Sequence, residues 1–250
     1  MAIFKRYLTP LLLGLTGLVF LPAGRAQAPV SPTEPPPVFF RTLAIGNPVP
    51  LKGLLYEFQR KSVPLMVSDT DASMLYQCPP QGTVSIYREE PPIPPETKRR
   101  RIPVAEVRLG KDSSYWIALS ATTLRGVTTI TPFVINDSWD AHPLETVRVM
   151  NFSRRNIAVK VDDLAVELSP VETHTFPYPG AGTEIVRFQV ATKDEGAWTA
   201  RVNSPQGIIH KTRATIAITD IEPSQYDPTP DGINIINMID ATSPPPKTEK

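Results

Sequence analysis

Proline interrupts nearly every stretch of this chain that could otherwise coil into a helix. There are 29 prolines among 250 residues, about twice the usual share of ~5%. They gather in PVSPTEPPP (29–37), EEPPIPPETKRRRIP (89–103) and SPPPK (243–247). A proline inside a helix removes a backbone donor and clashes with the preceding turn. Between the clusters run short segments rich in Val, Ile, Thr, Tyr and Phe: TVSIYRE, VAEVRLG, SSYWIALS, TEIVRFQVAT, AWTARVNS and RATIAITD. Many alternate apolar and polar residues. In IAVKVDD, Ile157, Val159 and Val161 share one face, while Ala158, Lys160 and Asp162 share the other. Many short strands between turn signals imply an all-β sandwich or barrel. No amphipathic helix longer than about two turns is visible.

The strands come in two similar series. FRTLAIGNPVPLKGLLYEFQ (40–59) matches VRVMNFSRRNIAVKVDD (147–163) as strand, polar turn, strand. VPLMVS then answers LAVELS, and CPPQGTVSIY answers FPYPGAGTEIVRF, which sets Cys78 against Phe176. Further on, VAEVRL and SSYWIALS answer AWTARV and RATIAIT, and VTTITPFVINDS answers DGINIINMIDAT. The organisation expected is therefore two tandem Ig-like β-sandwiches, 39–137 and 145–241, joined by a linker at 138–144. A proline-rich linker (29–38) and a disordered tail (242–250) flank them. Alternation assigns Leu43, Leu55, Ile86, Val107, Trp116 and Leu119 to the first core. It assigns Val149, Val159, Val161, Phe188, Trp198 and Ile216 to the second.

The N-terminus sets the compartment. Lys5 and Arg6 precede the apolar run LTPLLLGLTGLVFLPAG, and the small residues of GRAQA follow. That is the order of a secretory signal peptide, here residues 1–28, cleaved after Ala26 or Ala28, with an uncleaved N-terminal anchor as the alternative. The apolar run is short for a membrane span, which needs about 20 residues. The expected location is periplasmic or extracellular, with no transmembrane span left after cleavage. Of the 26 bases, Lys5, Arg6 and Arg25 leave with the signal; 23 remain against 25 acids, a net of −2. Nothing in that balance favours nucleic acid. The single cysteine, Cys78, excludes an intramolecular disulfide.

The layout resembles the periplasmic accessory protein family of bacterial alginate O-acetylation, and more loosely other exported Ig-like modules. The carriers of the resemblance are VRVMNFS (147–153), similar to the strand opening that family's second domain, and YWIALS (115–120), similar to the end of its first. The family is non-enzymatic and partners polysaccharide-modifying enzymes. The resemblance thus implies an adaptor and carries over no catalytic residues. The PPIPPETKRRR insertion and the proline-rich ends depart from the family pattern.

Residue by residue, chemistry is sparse. His142, His174 and His210 stand apart and lack metal-ligand spacing. Asp69 and Asp71 have a D-x-D spacing but no correctly placed Glu for a calcium loop. Glu222, Asp227 and Asp231 lie in a proline-broken surface loop. No G-x-S-x-G elbow exists, and Cys78 reads as a buried, inert thiol. Neither a cofactor nor a metal is expected. The one dense charge run is Lys98, Arg99, Arg100 and Arg101, projecting from a proline-stiffened insertion. It is the candidate partner-binding segment, for an envelope protein or an acidic polysaccharide; the alternative is a solvated hairpin tip. Trp116, Trp139, Trp198, Tyr115 and Tyr178 could line a glycan face, with core packing as the default and Trp139 wedged between the domains. The reading is a non-catalytic exported structural or adaptor protein of the bacterial cell envelope. The alternatives are a carbohydrate-binding module, or a hydrolase with a site assembled from scattered residues.

Overall fold

A computed structural model describes residues 36–180 and 183–240. The expected signal segment and the C-terminal tail lie outside the described residues. The first series contains β1 (Phe39–Ile45), β2 (Leu55–Phe58), β3 (Lys61–Pro64), β4 (Tyr76–Gln77), β5 (Thr83–Glu90), β6 (Arg100–Arg108), β7 (Ser114–Leu124) and β8 (Val127–Asn136). The second contains β9 (Thr146–Asn151), β10 (Ile157–Val161), β11 (Leu164–Leu168), β12 (Thr173–Pro177), β13 (Ile185–Asp194), β14 (Ala197–Gly207), β15 (Arg213–Asp220) and β16 (Ile233–Asp240). A 3-10 turn at Val49–Leu51 is the one helical element among the described residues. No helix among them is long and apolar enough to cross a membrane.

The chain folds as two β-sandwiches of the same topology. The first pairs sheets β4-β1-β7-β8 and β3-β2-β5-β6; the second pairs β12-β9-β15-β16 and β11-β10-β13-β14. Each strand number of the second sandwich is that of the first plus eight, so the two series of the sequence are structural copies. In both, the first strand runs parallel to the seventh: Phe39 lies opposite Ser114, and Thr146 opposite Arg213. Two-residue turns close the long hairpins. Arg125-Gly126 joins β7 to β8 and Glu195-Gly196 joins β13 to β14, all four residues with positive φ, as the twist-matched hairpin turn requires. These ladders also correct one pairing. Tyr76 lies opposite Phe40 as Phe176 lies opposite Val147, so Phe176 corresponds to Tyr76 and Cys78 to Tyr178.

Each sandwich has its own core. Phe40, Tyr56 and Tyr76 form the aromatic centre of the first, with ring centroids 5.3–5.7 Å apart. Ile86, Val107 and Leu119 pack in the same cluster. Val149, Val159, Val161, Phe188 and Ile216 are buried in the second, as alternation predicts. Three assignments change. On β2, Leu54 and Tyr56 point inward and Leu55 is only half-buried, a one-residue slip that exchanges faces. Trp198 is 43% exposed on β14, where the edge strand has no second sheet over its outer side. Leu43 and Trp116 are buried, but in a third cluster with Met150, Ala217, Ile236 and Met238.

That third cluster joins the sandwiches. Sheets β4-β1-β7-β8 and β12-β9-β15-β16 face each other, so their central strands are covered on both sides; every residue of β9 is buried, while the outer strands β8 and β16 stay largely open. The shared register makes the junction reciprocal. Leu43 corresponds to Met150, Ala118 to Ala217 and Arg41 to Arg148, by their places along β1, β7, β9 and β15. Asp137 is set beside Ser114 by its backbone N–H, as Asp240 is set opposite Arg213. Arg41 then pairs with Asp240 at 3.3 Å, and Arg148 with Asp137 at 3.3 Å. Each sandwich thus offers an arginine to the other's aspartate, the pattern of an isologous dimer interface within one chain.

Candidate functional site

The expected partner segment is built on the hairpin of β5 and β6. The ladder sets Glu89 opposite Arg101 and Glu90 opposite Arg100. Arg100 and Arg101 therefore belong to β6 rather than to a projecting stalk; only Lys98 and Arg99 lie in the 91–99 connection. The register also puts opposite charges together. Arg99 lies 4.0 Å from Glu89, and Arg100 lies 3.9 Å from Glu90. Arg101 donates to Glu57 in a close ion pair and stacks over the Tyr87 ring at 4.7 Å. The hydrogen bond to Glu57 raises the Arg101 pKa above its ordinary value. Tyr87 in turn donates to Ser62 Oγ at 2.7 Å. Three glutamates thus face four cations, which leaves a much weaker field than the bare run implies. Lys98 and the largely exposed Arg99 form its open rim.

The largest concentration of buried charge lies at the junction. Asp137 accepts from His142 Nδ1 at 3.0 Å, Arg148 Nη1 at 3.3 Å and Arg213 Nη2 at 3.2 Å. Its side chain is 3% exposed. Arg148 also donates to the carbonyls of Asn136 and Ala141, each at 2.6 Å. Burial pulls the Arg148 pKa down to about 10, with Asp137 opposing and Arg213 adding to the fall. Burial likewise lowers His142, against the hydrogen bond to Asp137. Both nitrogens of that ring face acceptors, Asp137 Oδ1 and Ala214 O, so the second bond forms only on the protonated ring. Trp139 lies over Arg213 at 4.1 Å, covering the buried guanidinium as a wedge beside the junction. The linker is therefore packed structure, since Ser138 and His142 are buried.

A cleft of about 580 Å³ opens at one end of the second sandwich, among Arg154, Arg155, Asp194, Asp220 and Asp231. Its charges neutralise one another. Arg155 binds Asp194, Asp220 and Asp231 at 2.9–3.2 Å. Arg201 binds Asp194 at 2.7 Å and Asp231 at 2.8 Å. A hydrogen bond from Thr192 Oγ1, then those from Arg201 and Arg155, hold Asp194 down to about 2. The acidic loop expected at the surface is thereby tied to the sandwich through Asp231. The arrangement braces loops: Asp194, Asp220 and Asp231 are each engaged by arginine.

The remaining candidates fall apart in space. Cys78 is buried, and burial raises its thiol to about 11, far from nucleophilic at neutral pH. His174 is exposed and meets Phe176 edge-on at 4.7 Å. His210 bonds Glu145 Oε2 at 2.8 Å and the Thr183 carbonyl at 2.9 Å. Ser68 Oγ accepts from the backbone N–H groups of Thr70 and Asp71, so the D-x-D stretch is a hydroxyl-braced turn. Among the described residues, no three of His, Cys, Asp or Glu are placed to hold a metal. Tyr115 is buried, Tyr178 packs against the second core, and Trp116 is sealed in the junction. Trp198 alone of the three tryptophans stands on an outer sheet face, with Lys193 Nζ 5.4 Å from its ring centroid.

No protein-family model matches the chain, and no curated protein matches its sequence.

Proposed function

We propose that the chain is an exported, non-catalytic structural or adaptor protein of the bacterial cell envelope, accessory to a polysaccharide-modifying or surface assembly. The observation that carries this reading is the reciprocal junction. Two sandwiches share an apolar cluster and a set of buried and part-buried arginine–aspartate pairs. Such a junction holds the two outward sheets and the projecting hairpins in one geometry, which an adaptor uses and a lone binding module does not require. The leader pattern around Lys5 and Arg6 supports export. Lys98 and Arg99 supply the rim that meets an acidic partner, with Arg100 and Arg101 anchoring it through Glu90 and Glu57.

The test is a photo-crosslinking residue at Thr97 in intact cells, with mass spectrometry of the adduct. The expected result is one dominant envelope component, lost when Lys98 and Arg99 are both replaced by serine. A chain retained in the cytoplasm would sink the reading, and so would an adduct indifferent to those two cations. A carbohydrate-binding role is the second reading, favoured by the exposure of Trp198.

A further inference from the structure

The two outward sheets of this duplicated fold have diverged. In the first sandwich the outward side of β5 and β6 is closed by Tyr87, Arg101, Glu57 and Ser62, all bonded or stacked together. The outward side of β11-β10-β13-β14 is open. Val159, Val186, Phe188 and Val190 point into the core, so alternation turns Ala158, Lys160, Gln189 and Ala191 outward. The ladders set Glu167 and Ala191 on either side of Ala158, and Ala200 beside Ala191. Three alanines thus form a low floor crossing three strands, roughly 10 Å at the usual strand spacing.

The floor has two unlike walls. On one side Lys193 stands opposite Trp198 and reaches Glu167 at 3.9 Å. On the other, Lys160, Gln189 and Asn203 form a row across the sheet. Beyond that row the surface dips into a groove of about 570 Å³ lined by Asp162, Ile185, Arg187, Asn203, Ser204 and Pro205. Lys193 and Glu167 neutralise each other. Asp162 uses one oxygen to accept the Arg187 backbone N–H at 2.7 Å. Among the described residues neither Lys160 nor the Arg187 side chain has an ion-pair partner. Lys160, Arg187 and Lys193 stand against Glu167 and Asp162, so the face carries a surplus of one positive charge beside an exposed indole.

We propose that this face binds a glycan chain that bears carboxylates. A sugar ring presents C–H groups on one side, which lie against an indole, and hydroxyls at its rim. Trp198 supplies the ring surface. The side-chain amides of Gln189 and Asn203 offer both donors and acceptors to hydroxyls. Lys160 and the Arg187 fork meet the carboxylates. The alanine floor admits the chain where longer side chains would block it. Asp162 accepts from hydroxyls at the far end and keeps the charge there from becoming uniformly positive. The inference deepens the adaptor reading by giving its acidic polysaccharide a seat remote from Lys98 and Arg99.

Calorimetric titration of the exported chain with oligogalacturonate, and with its fully methyl-esterified form, tests this. The acid form should bind, more weakly as salt rises, and the ester should bind much less. Trp198→Ala should weaken binding about tenfold, the loss of one stacked ring. Lys160→Ser with Arg187→Ser should weaken the acid form by a similar factor. None of these changes, all outside the two cores, should move the thermal midpoint. Lys111→Ser, which removes an exposed cation from the connection between β6 and β7 of the first sandwich, should leave the affinity as it was. No binding, or equal binding of acid and ester, would overturn the proposal. Loss in a variant with Lys98, Arg99, Arg100 and Arg101 all replaced by serine, with Trp198→Ala unaffected, would also overturn it, while leaving the adaptor reading intact with its glycan contact on the β5–β6 hairpin.

Discussion

Replacing Asp137 by asparagine should be one of the most damaging isosteric changes this fold can suffer. The carboxylate sits between His142, Arg148 and Arg213 at 3.0–3.3 Å and is 3% exposed. Its two arginine partners do not lose equally. Arg213 keeps Asp240 at 3.0 Å and the carbonyls of residues 137 and 142. Arg148 keeps the carbonyls of Asn136 and Ala141 but loses the one carboxylate it is paired with. It becomes a buried cation without a counter-charge, a situation that costs about 3–5 kcal/mol. Set against a domain stability of about 5–15 kcal/mol, that is a large fraction. Asp240→Asn should cost less, because Arg213 retains Asp137 and Arg41, the cation that loses its carboxylate, is 15% exposed where Arg148 is 3%. Urea unfolding at neutral pH reads both effects as midpoints, and the slope reports whether the two sandwiches still unfold together. Adding Arg148→Met to Asp137→Asn should recover part of the loss by removing the orphaned cation. A cost below about 1 kcal/mol for Asp137→Asn, the range of exposed pairs, would refute this account of the junction. So would a double variant less stable than the single one.

Three further outcomes follow from the same geometry. Met150→Ala, at the centre of the shared cluster, should cost about 2–5 kcal/mol in urea unfolding, since both sheets around it are covered and little can collapse into the space. Cys78 should resist thiol reagents at pH 8 in the folded protein and react at once in denaturant, because its buried thiol is raised to about 11. The His210–Glu145 pair should stabilise within a pH window. His210 is raised by its bond to Glu145, so its contribution is complete below its ordinary 6.5 and is lost as pH climbs through the folded value. Glu145 is lowered first by the Lys211 backbone N–H and then by His210, so its share is complete above its ordinary 4.5 and is lost as pH falls through the folded value. The thermal midpoint of His210→Ala should therefore fall furthest below that of the unaltered protein between about pH 4.5 and 6.5; a difference that is flat from pH 4 to 9 would contradict it.

The all-β class and its duplication are legible in the order of amino acids alone. Prolines exclude helices, and alternation in IAVKV and IVRFQV assigns Val159, Val161 and Phe188 to the core because one face of those strands is covered and the other is not. The cationic patch is half legible. Lys98–Arg101 stands out as a run, but the glutamates that neutralise it come from register: Glu89 and Glu90 return opposite Arg101 and Arg100, and Glu57 arrives from another strand. Two-fold alternation states which residues share a face and is silent on what covers that face. Leu43 and Trp116 are buried as their strands imply, yet against the other sandwich rather than within their own, and Trp198 faces outward because its sheet has no second layer on that side. The arginines of the junction are illegible for a related reason. A charged residue in a strand reads as solvent-facing, and only the packing of one sheet on its own copy brings Arg41 and Arg148 to the aspartates that make their burial tolerable.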